Sequence, residues 1–203
     1  MILAQLQNFQ WLNDPENVTF TALGMRTESK QGTDFWQNEA ANVHKDNGHF
    51  FYLPKTENFV LDICWDCNIE GNFDQCGIMV RIDEKNWLKA SVMFEDESSP
   101  SVATCATING FSDWAIHKVE QIPEKVYYQI KRLHDDYIVY FSLDGECFEQ
   151  IRLVHLSAAA GPVLAGAYIC SPRNDNFSAK AQAQPAPYNF SDNKYMCHQC
   201  ESD

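Results

Sequence analysis

The chain has 203 residues, 45% apolar and 21% charged, with 15 Lys+Arg against 28 Asp+Glu. A net charge of −13 argues against a nucleic-acid partner, since affinity for a phosphate backbone rests on Lys and Arg, and it opposes docking on an anionic membrane. The length suffices for one core that buries roughly 70% of the unfolded surface without a staple, so a single domain over residues 1–203 is expected.

The opening Met1-Ile2-Leu3-Ala4-Gln5-Leu6-Gln7 has no basic n-region and no long apolar run, and no stretch anywhere approaches the ~18 apolar residues of a membrane span. A cytoplasmic protein is expected. From there the dominant period is two. Val18 to Leu23 opens a strand, His49 to Leu53 makes another that Pro54 closes, and Phe59 to Ile63 a third. Runs of β-branched and aromatic residues between turn formers carry this signal.

The middle of the chain is readable in register. In Gln75 to Ile82, the apolar Cys76, Ile78, Val80 and Ile82 share one face, and Gln75, Gly77, Met79 and Arg81 share the other. After Asp83-Glu84-Lys85, a partner strand alternates Leu88, Ala90, Val92 and Phe94 with Trp87, Lys89, Ser91, Met93 and Glu95. Pairing Ile82 with Asn86 sets Val80 opposite Leu88, Ile78 opposite Ala90, Arg81 opposite Trp87 and Met79 opposite Lys89. A slip by one residue would mix the two faces, so the pattern selects this register. A second hairpin joins Val126–Arg132 to Tyr137–Leu143, with Ile130 opposite Val139 and Tyr128 opposite Phe141. Asp144-Gly145 then turns the chain into a strand over Phe148–Leu153, and Val163–Cys170 is a further strand stopped by Ser171-Pro172. The best helical candidate is the short Leu156–Ala160 run. Ten to twelve strands without a helix of three turns predict an all-β antiparallel sandwich, with 181–203 a polar tail or edge extension.

The eight cysteines read as small buried hydrophobes at Cys76, Cys105 and Cys170. Cys64/Cys67 and Cys197/Cys200 form two CxxC pairs, but the first lies in a strand pattern and 129 positions separate them, so no zinc site is expected.

An ordered set of short motifs points further. Trp11-Leu12-Asn13-Asp14-Pro15 is followed by Thr33-Asp34-Phe35-Trp36, Asn47-Gly48-His49-Phe50 and Asp74-Gln75-Cys76-Gly77-Ile78-Met79-Val80-Arg81. Then come Trp87-Leu88-Lys89-Ala90, Ser112-Asp113-Trp114, Tyr140-Phe141-Ser142-Leu143-Asp144-Gly145, Arg152 and Ser171-Pro172. In this order, over about residues 9–180, the chain resembles the regulation-of-enolase family, a domain of unknown function in the concanavalin A-like superfamily. The resemblance implies a jelly-roll sandwich of two curved antiparallel sheets. It brings no established activity, because a fold hosts many functions. It also implies a Glu six residues after the Trp of Trp87-Leu88-Lys89, where this chain carries Met93.

No histidine sits in a nucleophile motif, and no phosphate-cradling loop or dinucleotide fingerprint occurs, so no cofactor is expected. Glu95 and Glu97 share a strand face at a spacing compatible with glycoside hydrolysis, yet Glu95 to Pro100 reads as a hydrated turn. Asp34, Asp46, Asn47 and Asp74 are oxygen donors of the kind calcium takes, but acidic loops are common in this composition. Sugar binding needs aromatic faces plus a few polar groups. Gln75, Arg81, Trp87 and Lys89 lie on the non-core face of the central hairpin. Trp36, His49, Asp113 and Trp114, from the family motifs, join them if the sheet curves around a groove; packed core is the other reading of Trp36 and Trp114. The expected function is non-catalytic binding of a carbohydrate or sugar phosphate on the concave sheet. A protein-interaction role regulating a metabolic enzyme, which the family name suggests, comes second, and a glycosidase or lyase third.

Overall fold

The computed structural model describes residues 6–21, 24–66, 71–95, 100–122, 124–157 and 161–173, and the backbone of 181–185. In chain order the strands are β1 (Gln10–Leu12), β2 (Val18–Thr21), β3 (Gly24–Thr27), β4 (Phe35–Asn38), β5 (Val43–Asp46), β6 (His49–Lys55), β7 (Phe59–Asp66) and β8 (Gln75–Asp83). They continue with β9 (Asn86–Phe94), β10 (Pro100–Ile108), β11 (Phe111–Lys118), β12 (Lys125–Leu133), β13 (Asp136–Ser142), β14 (Glu149–His155), β15 (Val163–Cys170) and β16 (Ala181–Pro185). A 3-10 turn, Glu39–Ala41, lies between β4 and β5.

Two antiparallel sheets form. One has nine strands in the order β1-β6-β15-β8-β9-β10-β11-β4-β5, the other seven in the order β14-β13-β12-β7-β16-β3-β2. The core between them takes the alternate residues that the sequence pattern assigns to it: Ile78, Val80, Leu88, Ala90 and Val92 meet Leu61, Trp65, Tyr128, Ile130 and Val139, all buried. Two large rings there satisfy their polar ends across the gap. Trp65 Nε1 donates to the Gly77 carbonyl at 2.8 Å, and Tyr128 Oη accepts from the Val92 N–H at 2.6 Å, which removes the penalty of burying a polar atom unpaired.

Both expected registers hold. Val80 faces Leu88, Ile78 faces Ala90, Arg81 faces Trp87 and Met79 faces Lys89; Ile130 faces Val139 and Tyr128 faces Phe141. Three details differ. At the β8–β9 turn Asp83, not Ile82, pairs with Asn86 across an irregularity, because Asp83 uses its carboxylate to accept from the Lys85 N–H and the Asn86 amide. Strand β6 runs through Pro54 to Lys55; β1 reaches only to Tyr52, so Pro54 sits where one side of β6 is an edge and its missing N–H costs no ladder bond. Residues 181–185 are no tail or edge: β16 pairs on both sides, with β3 and β7. Main-chain hydrogen bonds build this strand without the apolar alternation that would announce it. Residues 186–203 lie outside the described residues, as do Ala158–Ala160 of the helical candidate, while Leu156 and Ser157 are not helical.

The nine-stranded sheet curls strongly. Asp46, at the end of β5, and Arg81 of β8 are five strand positions apart in the sheet order, which would be about 24 Å on a flat sheet. Yet Arg81 donates through Nη1 and Nη2 to the two Asp46 oxygens at 2.6 and 2.8 Å. The roll hinges where β11 meets β4, joined by the single pair Phe111 with Asn38. It brings Phe35 to within 6.3 Å, centroid to centroid, of both Trp87 and Tyr168. A second small core of Phe35, Phe50, Met79, Trp87, Cys105, Tyr168 and Cys170 is thereby enclosed on the concave face.

Candidate functional site

Beside this second core the concave face opens into a cleft of about 380 Å³, near the small end of the ~300–1,000 Å³ typical of ligand sites. Alternation on the central strands sets its floor. Gln75 of β8, Lys89, Ser91 and Met93 of β9, and Ala103 and Cys105 of β10 all line it, each on the face opposite the inter-sheet core. Trp114 of β11 and Trp36 of β4 form one side, while Tyr168 of β15, Phe73, Pro172 and Arg173 form the other.

The polar centre is a buried ion pair with satellites. Lys89 Nζ donates to Asp34 Oδ1 at 3.2 Å and to Gln75 Oε1 at 2.9 Å, and stands 5.5 Å from the centroids of both Trp87 and Tyr168. The Tyr168 hydroxyl also donates to Gln75 Oε1, at 3.1 Å. Burial is the largest single influence on Lys89 and lowers its pKa, but the Asp34 carboxylate, with Cys170 and Cys105 adding to it, turns the net direction upward, so Lys89 is an ammonium at neutral pH. Burial pushes the Cys105 thiol up to about 11, and drives Cys170 and the Tyr168 phenol up as well. No thiolate nucleophile or free-amine base is therefore present among these groups. Asp34 is the one carboxylate among the described lining residues. The position at which the resemblance implies a Glu is the apolar wall residue Met93.

Four of the eight residues singled out from sequence, Trp36, Gln75, Lys89 and Trp114, line this cleft. The other four are engaged elsewhere. Arg81 is 7% exposed and holds the curl through Asp46. Trp87 is fully buried beneath Lys89. His49 is buried, its Nδ1 2.6 Å from the Asn13 carbonyl and its Nε2 accepting from the Lys30 N–H at 3.0 Å, which ties two loops together. Asp113 points from the opposite face of β11 to Trp114 and accepts from Arg152 at 2.8 Å.

The acids weighed for calcium are dispersed. Asp34 pairs with Lys89, Asp46 with Arg81, and Asp74 accepts from the Ser171 hydroxyl. Among the described residues no three His, Cys, Asp or Glu side chains gather as a metal site. Cys64, Cys76, Cys105 and Cys170 are buried cysteines. Cys67, Glu97, Cys197 and Cys200 lie outside the described residues.

The sequence does not single out Tyr168, Arg173 or Phe73 for the site; it offers Cys105 as a buried hydrophobe and Asp34 as a calcium donor. Tyr168 had a signal: it alternates with Ala165, Ala167 and Ile169 of the core and so faces the concave side. Asp34 had none, because only the curl brings β4 over β9.

Fold and cleft together define a concanavalin A-like jelly-roll sandwich with a small, partly polar concave-face site. Residues 11–184 match the family described as "Protein of unknown function (DUF1349)", and the chain belongs to that family. It is 33% identical over 111 residues to "Regulation of enolase protein 1" of Saccharomyces cerevisiae, a match that covers 55% of this chain and 55% of the relative; the aligned part thus spans about half the length of that protein. A crystal structure of a functionally unknown protein from Saccharomyces cerevisiae superposes with a TM-score of 0.80 at 26% identity, over 88% of this chain and 94% of that one. The carbohydrate-binding module CBM66 from Bacillus subtilis shares the fold, with a TM-score of 0.53 and 15% identity over 88% of this chain and 92% of that module. No helix among the described residues is long and apolar enough to cross a membrane.

Proposed function

We propose that the concave cleft binds a carbohydrate or sugar phosphate without acting on it chemically. The observation that carries this is the composition of one 380 Å³ cleft. It has indole walls at Trp36 and Trp114 for the apolar face of a sugar ring, and a fixed Asp34–Lys89–Gln75 array for its hydroxyls. Among the described lining residues the one carboxylate, already paired with Lys89, speaks for binding over hydrolysis, which uses two carboxylates flanking the bond. The fold shared with a carbohydrate-binding module is in keeping with it.

A thermal-shift screen against mono- and oligosaccharides and sugar phosphates tests the reading. A ligand at 100 times its Kd adds about 2.7 kcal/mol, a rise of roughly 5–11 °C for a domain of this size. That rise is expected to fall to about half or less in Trp114→Ala, as a ten-fold or greater loss of affinity requires. A blank screen at ligand concentrations in the tens of millimolar would sink the proposal.

A second reading is a protein-interaction role in regulating a metabolic enzyme. It is supported by the relative's name and by the exposed apolar Trp114 and Ile116 on β11, at 37% and 42%. Its test is co-purification of a metabolic enzyme with the wild-type chain but not with Ile116→Glu; identical recoveries from the two would refute it.

A further inference from the structure

The hydrogen-bonding capacity left over at the floor of the cleft is specific enough to narrow the ligand. Lys89 has three N–H donors, and two are taken, by Asp34 Oδ1 and Gln75 Oε1. Asp34 Oδ1 also accepts from the Phe35 N–H at 2.7 Å and lies 3.8 Å from the Cys170 sulfur, whereas Oδ2 has no partner among the described residues. The Asp34 side chain keeps 19% of its surface accessible and Lys89 6%. Gln75 is taken up by Lys89, Tyr168 and, through Nε2, the Phe73 carbonyl.

One carboxylate acceptor and one ammonium donor therefore remain, side by side on a pair whose charges already cancel. We infer, building on the carbohydrate reading above, that the cleft selects a neutral sugar presenting two adjacent hydroxyls. One hydroxyl donates to Asp34 Oδ2 and its neighbour accepts from Lys89. A phosphate or carboxylate group carries acceptors only, so in this position it faces Oδ2 as one anion against another, on a chain of net charge −13. Among the described residues the cation at the mouth is Arg173, exposed and lying 4.5 Å from the Phe73 ring centroid. It stands at the rim and not on the floor, and it is the group through which an anionic sugar would bind instead.

The experiment is a titration of the intact chain, followed by NMR. The probes are methyl glycosides of glucose, galactose, mannose and xylose, the 6-phosphates of the three hexoses, and the 2-, 3- and 4-deoxy analogues of whichever glycoside binds. The expected result is that a neutral glycoside binds at least ten-fold more tightly than its phosphate. Deleting either of two adjacent hydroxyls should cost a further ten-fold or more, and Asp34→Asn should weaken the glycoside while narrowing its advantage over the phosphate. If Asp34→Asn fails to fold, the ligand series on the wild-type chain decides alone. Tighter binding of the phosphate, lost in Arg173→Ala, overturns the inference and leaves carbohydrate binding standing. Indifference to every single deoxygenation overturns it likewise. No saturable shift with any sugar or phosphate overturns both.

Discussion

The Arg81–Asp46 pair separates what shapes the cleft from what lines it, and Arg81→Met is the perturbation that shows the difference. The pair is bidentate, at 2.6 and 2.8 Å, with the Arg81 side chain 8% exposed and Asp46 31% exposed. Removing one partner of a fully buried pair costs about 3–5 kcal/mol. Here water can partly resolvate the Asp46 left behind, as at exposed pairs, so about 2 kcal/mol is expected. That corresponds to a fall of roughly 4–8 °C in Tm. The assay is urea unfolding at neutral pH on a cycle of wild type, Arg81→Met, Asp46→Asn and the double variant, with a coupling energy of about 1–2 kcal/mol expected. Below the melting transition of each of these proteins the ranking of sugar affinities should not change, because Arg81 does not line the cleft. A coupling below about 0.3 kcal/mol, which is within additivity error, would refute the claim that this pair holds the curl.

Three other outcomes follow from the same geometry. Burial holds the His49 imidazole below its ordinary value, against the pull of the Asn13 carbonyl, and its Nε2 must stay unprotonated to accept from Lys30. The unfolded chain then takes up the proton first, so stability is lost as pH falls through the ordinary value of 6.5 toward the lower folded one; His49→Gln should show a shallower loss over that window in urea midpoints, and an unchanged slope would contradict it. Mass-spectrometric mapping after thiol labelling of the native chain at pH 8 should find Cys147 modified and Cys64, Cys76, Cys105 and Cys170 protected, as their burial requires and as the Cys105 pKa of about 11 reinforces; native labelling of Cys105 would show that the cleft floor opens. Trp114→Ala, at a side chain 37% exposed, should cost less than ~1 kcal/mol in stability while lowering sugar affinity ten-fold or more, and a purely structural loss would count against the indole wall.

The sandwich was legible because its inter-sheet face is dictated locally. Cys76, Ile78, Val80 and their partners Leu88, Ala90 and Val92 alternate without interruption, and a register slip would have carried them all to the other face. The opposite face of the same hairpin was read as a group, yet its members divide. Lys89 and Gln75 reach the cleft, while Arg81 and Trp87 are covered. Nothing in the hairpin's own sequence separates them, since the difference lies in Phe35, Asp34 and Asp46, delivered from 35 to 55 residues away by the curl. Strand β16 was missed for another reason: its place between β3 and β7 rests on main-chain pairing, which leaves little mark in an Ala-Gln-Ala-Gln-Pro stretch.

The central claim is that sugar binds in the cleft walled by Trp36 and Trp114, and the five tryptophans of the chain offer a direct reading of it. Their indole N–H resonances report five separate places. Trp65 is locked to Gly77 in the inter-sheet core, Trp87 is buried under Lys89, and Trp11 packs 4.8 Å from Phe51, centroid to centroid. On titration with a binding glycoside, the signals of Trp36 and Trp114 should shift saturably with one Kd while those of Trp11 and Trp65 stay in place. Saturable shifts confined to Trp11 or Trp65, or no shift in any of the five, would contradict the account.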